Sequence, residues 1–230
     1  MNNLAIIPAR GGSKRIPRKN IKEFLGKPII AYSIQAAKDS GLFDRIIVST
    51  EDSEIASIAI HYGAEVPFLR SKINSSDYAT TNDVLLEVIE NVSKELIDIE
   101  NICCIYPAAP LISTNALIEG LNLLNTSDFD AVFPAFNVSK LVYRSFQMDN
   151  SNSINLIFDD FKRKRSQDLD NAFIDAGQWY WIKRDRLTSL DFGKNQGVII
   201  VDEMNVQDID TPNDWTLAEF KYRNLYEANN

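Results

Sequence analysis

Short, strongly apolar runs alternate with amphipathic helical patterns along most of this chain, and that rhythm limits the folds open to it. "LAIIP" (4–8), "RIIVS" (45–49), "ICCIYP" (102–107) and "DAVFPAF" (130–136) read as strands buried on both faces of a parallel sheet. Segments 27–41, 52–63, 81–96 and 114–126 carry apolar residues at helical spacing, and Gly41 marks a helix stop. "EVPFLR" (65–70) reads as one more short β-rich run. The alternation predicts an α/β domain with a doubly wound, mostly parallel sheet, and ligands at the carboxyl ends of its strands.

The rhythm breaks at about Asn137. Residues 137–175 include the polar "QMDNSNSIN" and the basic "KRKR", as expected of a hairpin or arm outside the main sheet. It resumes with "GQWYWIK" (177–183) and "GVIIVD" (197–202), then a final helix from Pro212. The 230 residues are enough for one domain spanning 1–230 with a small appendage. No apolar run reaches bilayer length, and Met1 leads directly into a strand without a secretory pattern. Cys103 and Cys104 are adjacent, which suits neither an ordinary disulfide nor metal spacing, so both are expected as core residues of a cytoplasmic protein.

The formal charge is −8, from 24 Lys plus Arg against 32 Asp plus Glu. Such a chain is a poor general binder of nucleic acid, whose affinity comes mainly from phosphate neutralisation. Yet "IPARGGSKRIPRKNI" (7–21) gathers Arg10, Lys14, Arg15, Arg18 and Lys19 directly behind the first strand. The segment matches neither the Walker pattern nor the dinucleotide fingerprint. Gly11 and Gly12 would let backbone N–H groups approach an anion, Ser13 adds a hydroxyl, and Arg10, Lys14 and Lys19 would offset phosphate charge. A solvated loop with extended lysines is the competing reading; a nucleic-acid role is the weakest. Arg15 and Arg18 are expected at a solvated rim.

Two further segments carry chemistry. In "VQDIDTPND" (206–214), Asp208 and Asp210 project to one side of an extended chain and suit a hard cation such as Mg²⁺. Helix capping accounts for Thr211, Pro212 and Asp214 but leaves Asp208 unexplained, so a metal role and a purely structural one both stand. "RSQDLDNAFIDAGQWYW" (165–181) joins Arg165, Gln167, Asp168, Asp175 and Gln178 to Trp179, Tyr180 and Trp181. Amides and carboxylates beside aromatics suit a hydroxyl-rich ligand such as a sugar; core packing is the alternative, above all for Trp179 and Trp181. His61 is the only histidine and sits on a helical pattern, so triad hydrolysis is not expected.

Taken together, these segments resemble the CMP-sialic acid synthetase (acylneuraminate cytidylyltransferase) family along essentially the whole chain. "PARGGSKRIPRKN" is similar to its CTP-binding opening, "IIVSTED" to its second strand, and "FLRS…SSDYATTNDV" to its base-recognition segment. "YPAAPL" is similar to its sugar-side strand end and "QDIDTPND" to its metal segment. "RSQDL" and "DAGQWYW" look most like the pseudaminic acid cytidylyltransferase branch.

The resemblance implies a Rossmann-like fold of the nucleotide-diphospho-sugar transferase type. It also implies a cytidylyltransferase that joins CTP to a nonulosonic acid, with Mg²⁺, and releases pyrophosphate. Arg10 and Lys19 would be catalytic through charge neutralisation; Arg10, Gly11, Gly12, Ser13, Lys19 and Asn20 would hold the sugar-phosphate part of CTP. Arg70 and Thr81 would read cytosine, Asp208 and Asp210 would bind magnesium, and 137–175 would be a homodimer arm. Tyr106, Arg165, Gln167, Asp168, Asp175, Gln178 and Tyr180 are the sugar-side candidates. Sialic acid enzymes carry Gln-Pro-Thr-Ser-Pro-Leu-Arg where this chain has "YPAAPLI", and Arg-Pro-Asn-Gly where it has residues 174–177. Both departures fall on the sugar side and favour a related nonulosonic acid over N-acetylneuraminic acid. The branch resemblance points to pseudaminic acid, with N-acetylneuraminic and legionaminic acids as the alternatives. A Kdo-type enzyme would have Lys-Pro where Lys19 and Asn20 stand, and a non-catalytic nucleotide-binding regulator would not need the paired aspartates.

Overall fold

A computed structural model of the chain describes residues 2–92, 99–188 and 192–227. The chain enters with β1 (Asn3–Pro8), forms a small ribbon from β2 (Glu23–Phe24) and β3 (Lys27–Pro28), and passes through α1 (Ile29–Ser40) to β4 (Arg45–Ser49). Helices α2 (Ser53–His61) and α3 (Thr81–Val92) lead to β5 (Asn101–Ile105), and α4 (Thr114–Thr126) leads to β6 (Ala131–Val138). The hairpin β7 (Phe146–Met148) and β8 (Ile154–Leu156) precedes β9 (Ala172–Asp175), β10 (Trp179–Lys183), β11 (Gln196–Ile200) and α5 (Pro212–Tyr226). Residues 93–96 of the expected third helix lie outside the described residues.

The main sheet runs β11-β6-β10-β5-β1-β4, with β9 also on β6. β1 is parallel to β4 and β5, and β11 is parallel to β6. β10 runs antiparallel to both neighbours, and β9 antiparallel to β6. This is the mostly parallel, doubly wound sheet expected from the alternation. "EVPFLR" forms no strand: it contributes one bridge, Glu65 to Ile47. Pro67 has no N–H to give a ladder.

Period-two alternation splits the strands between two apolar layers. Ile7, Val48, Cys103, Ile105, Trp179 and Trp181 pack with Ile34, Ile55 and Leu117 from α1, α2 and α4. Ile6, Ile47, Cys104, Tyr180 and Ile182 pack with Leu85 and Val88 of α3 on the other face. The adjacent cysteines thus face opposite layers, and burial pushes both thiols up. Trp179 and Trp181 are fully buried, as core residues. A Cβ at Gly120 of α4 would lie 2.4 Å from Trp179 Cη2, so glycine is what lets the helix seat on β10. Replacing either indole by alanine is expected to cost roughly 3–5 kcal/mol.

A third cluster fixes the C-terminus against the start of the chain. Phe24 of the ribbon meets Trp215 and Tyr222 of α5 edge-on, with centroids 5.6 and 5.8 Å apart, and Ile209 is buried beside them. Thr211 and Asp214 form a capping box with Pro212 at the first helical position. Segment 206–211 is thereby held next to the loop after β1. Among the described residues no helix is long and apolar enough to cross a membrane.

Candidate active site

β1 ends at the carboxyl edge of the sheet, and Ala9 extends its pairing by donating to the Ser49 carbonyl at 2.9 Å. The loop 9–22 then turns across that edge. Asn20 is buried, and its amide donates to the Arg10 carbonyl at 2.9 Å, tying the two ends of the loop together. Gly11 N donates to Glu51 Oε1 at 2.8 Å, and a Cβ there would lie 2.6 Å from Asp52 Oδ2. The close approach expected of Gly11 is therefore made to β4's following acids. Nothing lies within 4 Å of the Cβ position of Gly12, which leaves that residue open to a ligand.

The loop's cations are sorted by partner. Arg10 Nη1 and Lys14 Nζ bridge the two carboxylate oxygens of Asp77 at 2.8 and 2.6 Å. Arg15 Nη2 meets Asp210 Oδ1 at 2.8 Å; Lys19 Nζ donates to the Ile209 carbonyl at 2.6 Å and lies 3.6 Å from the same Asp210 oxygen. Arg18 keeps 39% of its side chain exposed at the rim but is not free there. It adopts φ 56°, and its guanidinium pairs with Asp52 and Glu54. That contact lowers the Asp52 carboxyl to about 2, reinforced by the Ile55 and Glu54 N–H groups it caps. Arg15, with 67% of its side chain exposed, sits at the rim as expected and from there meets the aspartate segment.

These side chains surround two adjoining cavities. One, of about 370 Å³, is lined by Arg10, Ser13, Lys14, Arg15, Lys19, Asn20 and Asp210. The other, of about 230 Å³, is lined by Arg10, Arg70, Asp77, Thr80, Thr81 and Tyr106; Pro8 and Arg10 border both. A larger recess of about 520 Å³ around Asn101, Asn125 and Lys183 lies at the opposite end of the sheet, away from this chemistry. Arg70 is buried, with Nε donating to Ser49 Oγ at 3.0 Å and Nη2 to the Ser49 carbonyl. Burial lowers its pKa, against the pull of Glu51 and Glu87.

The sugar-side candidates divide. Tyr106 follows β5, and its ring lies 5.4 Å from that of Tyr180. The Tyr180 hydroxyl donates to Asp175 Oδ2 at 2.6 Å, and the Tyr106 hydroxyl is hydrogen-bonded to Thr81 and Tyr180. Burial raises both phenols, so each remains a neutral donor. Gln178 is buried and gives its amide to the Asn205 carbonyl at 2.6 Å, just before the aspartate segment. Arg165 pairs with Asp168 at 2.8 Å on the exposed arm, and neither these two nor Gln167 lines either cavity of this chain.

Asp208 and Asp210 can be tested as a cation site. Partial burial, then the neighbouring Asp210 carboxylate, hold Asp208 above the usual carboxylate range, while Lys19 opposes them. Asp210 borders the first cavity and is met there by Arg15 and Lys19, whereas Asp208 lines neither cavity. Two carboxylates on one segment have the chemistry of a hard-cation donor set. No group of three or more His, Cys, Asp or Glu able to hold a metal exists among the described residues. A cation on this pair would have to take its other oxygens from substrate phosphates and water.

Asp77, Glu51 and Asp52 were not among the residues singled out in the sequence. Each meets its loop partner across 34 to 67 positions, and no local pattern announces such a pairing. Glu51 Oε2 is moreover buried with no hydrogen-bond partner, beside the loop it braces.

Comparison with known proteins follows the same lines. Residues 4–200 match the family model described as Cytidylyltransferase. A pseudaminic acid cytidylyltransferase from Campylobacter jejuni is 38% identical over 99% of both chains. The N-acylneuraminate cytidylyltransferase A of Danio rerio is 32% identical over 94% of this chain and 49% of its own length. Among solved structures, a CMP:2-keto-3-deoxy-manno-octonic acid synthetase complexed with CTP superposes with TM-score 0.71. It is 16% identical and is covered over 100% of its length by 99% of this chain, a likeness of fold. Phosphate-suited cations, a paired-aspartate segment and a full-length match to named enzymes agree: this chain is an enzyme and belongs to the cytidylyltransferase family.

Proposed function

We propose that this cytidylyltransferase joins the CMP part of CTP to pseudaminic acid, releasing pyrophosphate. The observation that carries the reading is the meeting at Arg10 of a cation-lined cavity and a second one bordered by Arg70 and Thr81. The first has the charge for a triphosphate. The second has the size and polar edge for a base. Identity of 38% and 37% over the full length of two pseudaminic acid enzymes supports the choice of sugar.

The sugar's anomeric oxygen attacks the α-phosphorus of CTP. The bond from that phosphorus to the bridging oxygen breaks, pyrophosphate leaves with the electron pair, and the hydroxyl proton passes to solvent or phosphate. No covalent nucleophile is needed, so positioning and charge neutralisation supply the rate. Arg10, Lys14 and Lys19 would face the departing phosphates, with Ser13 lining the same cavity. Asp208 and Asp210 would hold Mg²⁺, which when bound supplies further neutralisation of phosphate charge. Tyr106, Tyr180 and Asp175 present hydroxyl and carboxylate groups on the sugar side.

The arm contributes to the assembly. Phe146, Met148, Ile154 and Ile157 are each more than half exposed on or beside the β7–β8 hairpin. Such a patch asks for cover, and a second copy of the chain is the proposed cover, with Arg165, Gln167 and Asp168 carried towards the partner. A cytoplasmic setting suits both the CTP supply and two reduced, buried cysteines.

Pyrophosphate release with CTP and Mg²⁺ tests the reading, measured against pseudaminic, legionaminic, N-acetylneuraminic and Kdo acids. The expected order places pseudaminic acid at least about ten-fold ahead in kcat/KM. Chelation of the divalent cation is expected to abolish the signal. A better rate with another sugar would reassign the substrate, and silence with all four would reject the proposed reaction.

A further inference from the structure

The segment 71–80 is tied to α3 at both ends. Ser71 N and Asn74 Nδ2 each donate to Glu87 at 2.9 Å, and Thr80 N and Oγ1 donate to Asp83 Oδ2 at 3.0 and 2.7 Å. Between these anchors the strap stands out in solvent, with Ile73 81% and Tyr78 95% exposed. From that exposed tip, Asp77, which lines the second cavity, reaches back to Arg10 and Lys14 of the first and bridges them.

The geometry of this bridge is that of an anion in a phosphate site. One carboxylate offers its two oxygens to two cations of the loop, the contact a phosphate would make with the same groups. All three side chains remain well exposed, at 43%, 78% and 50%, so breaking the bridge leaves no buried charge unpaired. The neighbouring pairing of Arg18 differs, because Asp52 keeps only 20% exposure and also caps α2. One acid is built into the fold; the other is set on its surface where it can leave.

We infer that Asp77 is an internal stand-in for a nucleotide phosphate, holding Arg10 and Lys14 until the triphosphate displaces it. The inference rests on the reading of this loop as the triphosphate site. Its consequence runs against the ordinary result of removing a polar contact from an active site. Asp77 competes with nucleotide, so losing its charge should tighten binding.

Calorimetric titration at low ionic strength tests this, with CTP and with inorganic tripolyphosphate as probes. Asp77→Asn is expected to bind both about two- to ten-fold more tightly than the wild type, the scale of releasing two exposed ion pairs. Asp77→Glu, which keeps the charge, should stay near the wild type, and Arg10→Ala should bind more weakly. Should the asparagine variant lose its native circular dichroism, Asp77→Ser is titrated in its place with the same expectation. Unchanged or weaker binding by the folded neutral variant would overturn the competition while leaving the phosphate site intact. Equal binding by wild type and Arg10→Ala would overturn the phosphate site and the inference with it.

Discussion

The loop 9–22 and residues 139–171, the part of the arm between β6 and β9, are both largely irregular and polar, yet they end in opposite conditions. The loop finds its partners inside the chain: Arg10, Lys14, Arg15, Arg18 and Lys19 each meet an acid or carbonyl from another part of the fold. Its buried Asn20 and the fixed Asp52 leave it preorganised. The arm instead pairs its charges locally, Arg165 with Asp168, and turns apolar side chains outward. An irregular segment can thus be completed by its own domain or left for something else to complete. The first condition suits chemistry that depends on fixed charge; the second suits assembly.

The sharpest break of that contrast is Lys19→Ala. If loop charge is catalytic, kcat should fall by about two orders of magnitude or more in the pyrophosphate assay, the scale of removing one preorganised electrostatic group. Near-normal turnover would place Lys19 among structural residues. The arm makes a different demand: Phe146→Asp with Ile154→Asp should shift the particle from dimer to monomer mass in light scattering and weaken association about ten-fold or more, since a buried hydrophobic cluster dominates such contacts. An unchanged mass, or a wild type already monomeric, would remove the assembly role.

The smallest effect separates the fixed acid from the displaceable one. Asp52 falls from 3.8 to about 2 in the folded chain, so its stabilising contribution is fully present above pH 3.8 and disappears as pH falls through about 2. Asp52→Asn keeps a capping oxygen but loses the charge. It should cost about 1–2 kcal/mol at neutral pH by chemical denaturation, with the difference shrinking as pH falls from 3.8 through about 2. A constant difference at all pH values would show that the loss lies in packing rather than in charge.

Much of the framework could be read in the sequence because buried parallel strands and amphipathic helices have local signatures. The ends of β4 and α4 fall where "RIIVS" and "TNALIEGLNLLNT" place them. The direction of β10 could not be read, since "WYWIK" is equally apolar either way and only its neighbours define its sense. "EVPFLR" misled because apolar content outweighed the missing Pro67 donor. At the site, Arg10, Ser13, Lys19 and Asp210 were legible from composition and spacing and Asn20 only through the family resemblance, and one cavity gathers them. Asp77 was not, because its meaning lies in two cations more than sixty residues away. Gln178, legible as an amide near aromatics, is spent on holding Asn205.

The reversed strand has a further consequence for how such a chain can change. Because β10 runs against β5, it begins where β5 ends: Trp179 lies opposite Ile105, and Gly177, at φ 61°, turns β9 into it, while β6 runs on to pair with β9. Val138 and Ala172 face each other across β6 and β9, so everything between them departs from and returns to one edge of the sheet. A segment with both ends so close can lengthen, shorten or be exchanged for another without shifting a single register in the framework. Acceptor preference could thus diverge by trading this one excursion, while the nucleotide-holding half is inherited unaltered.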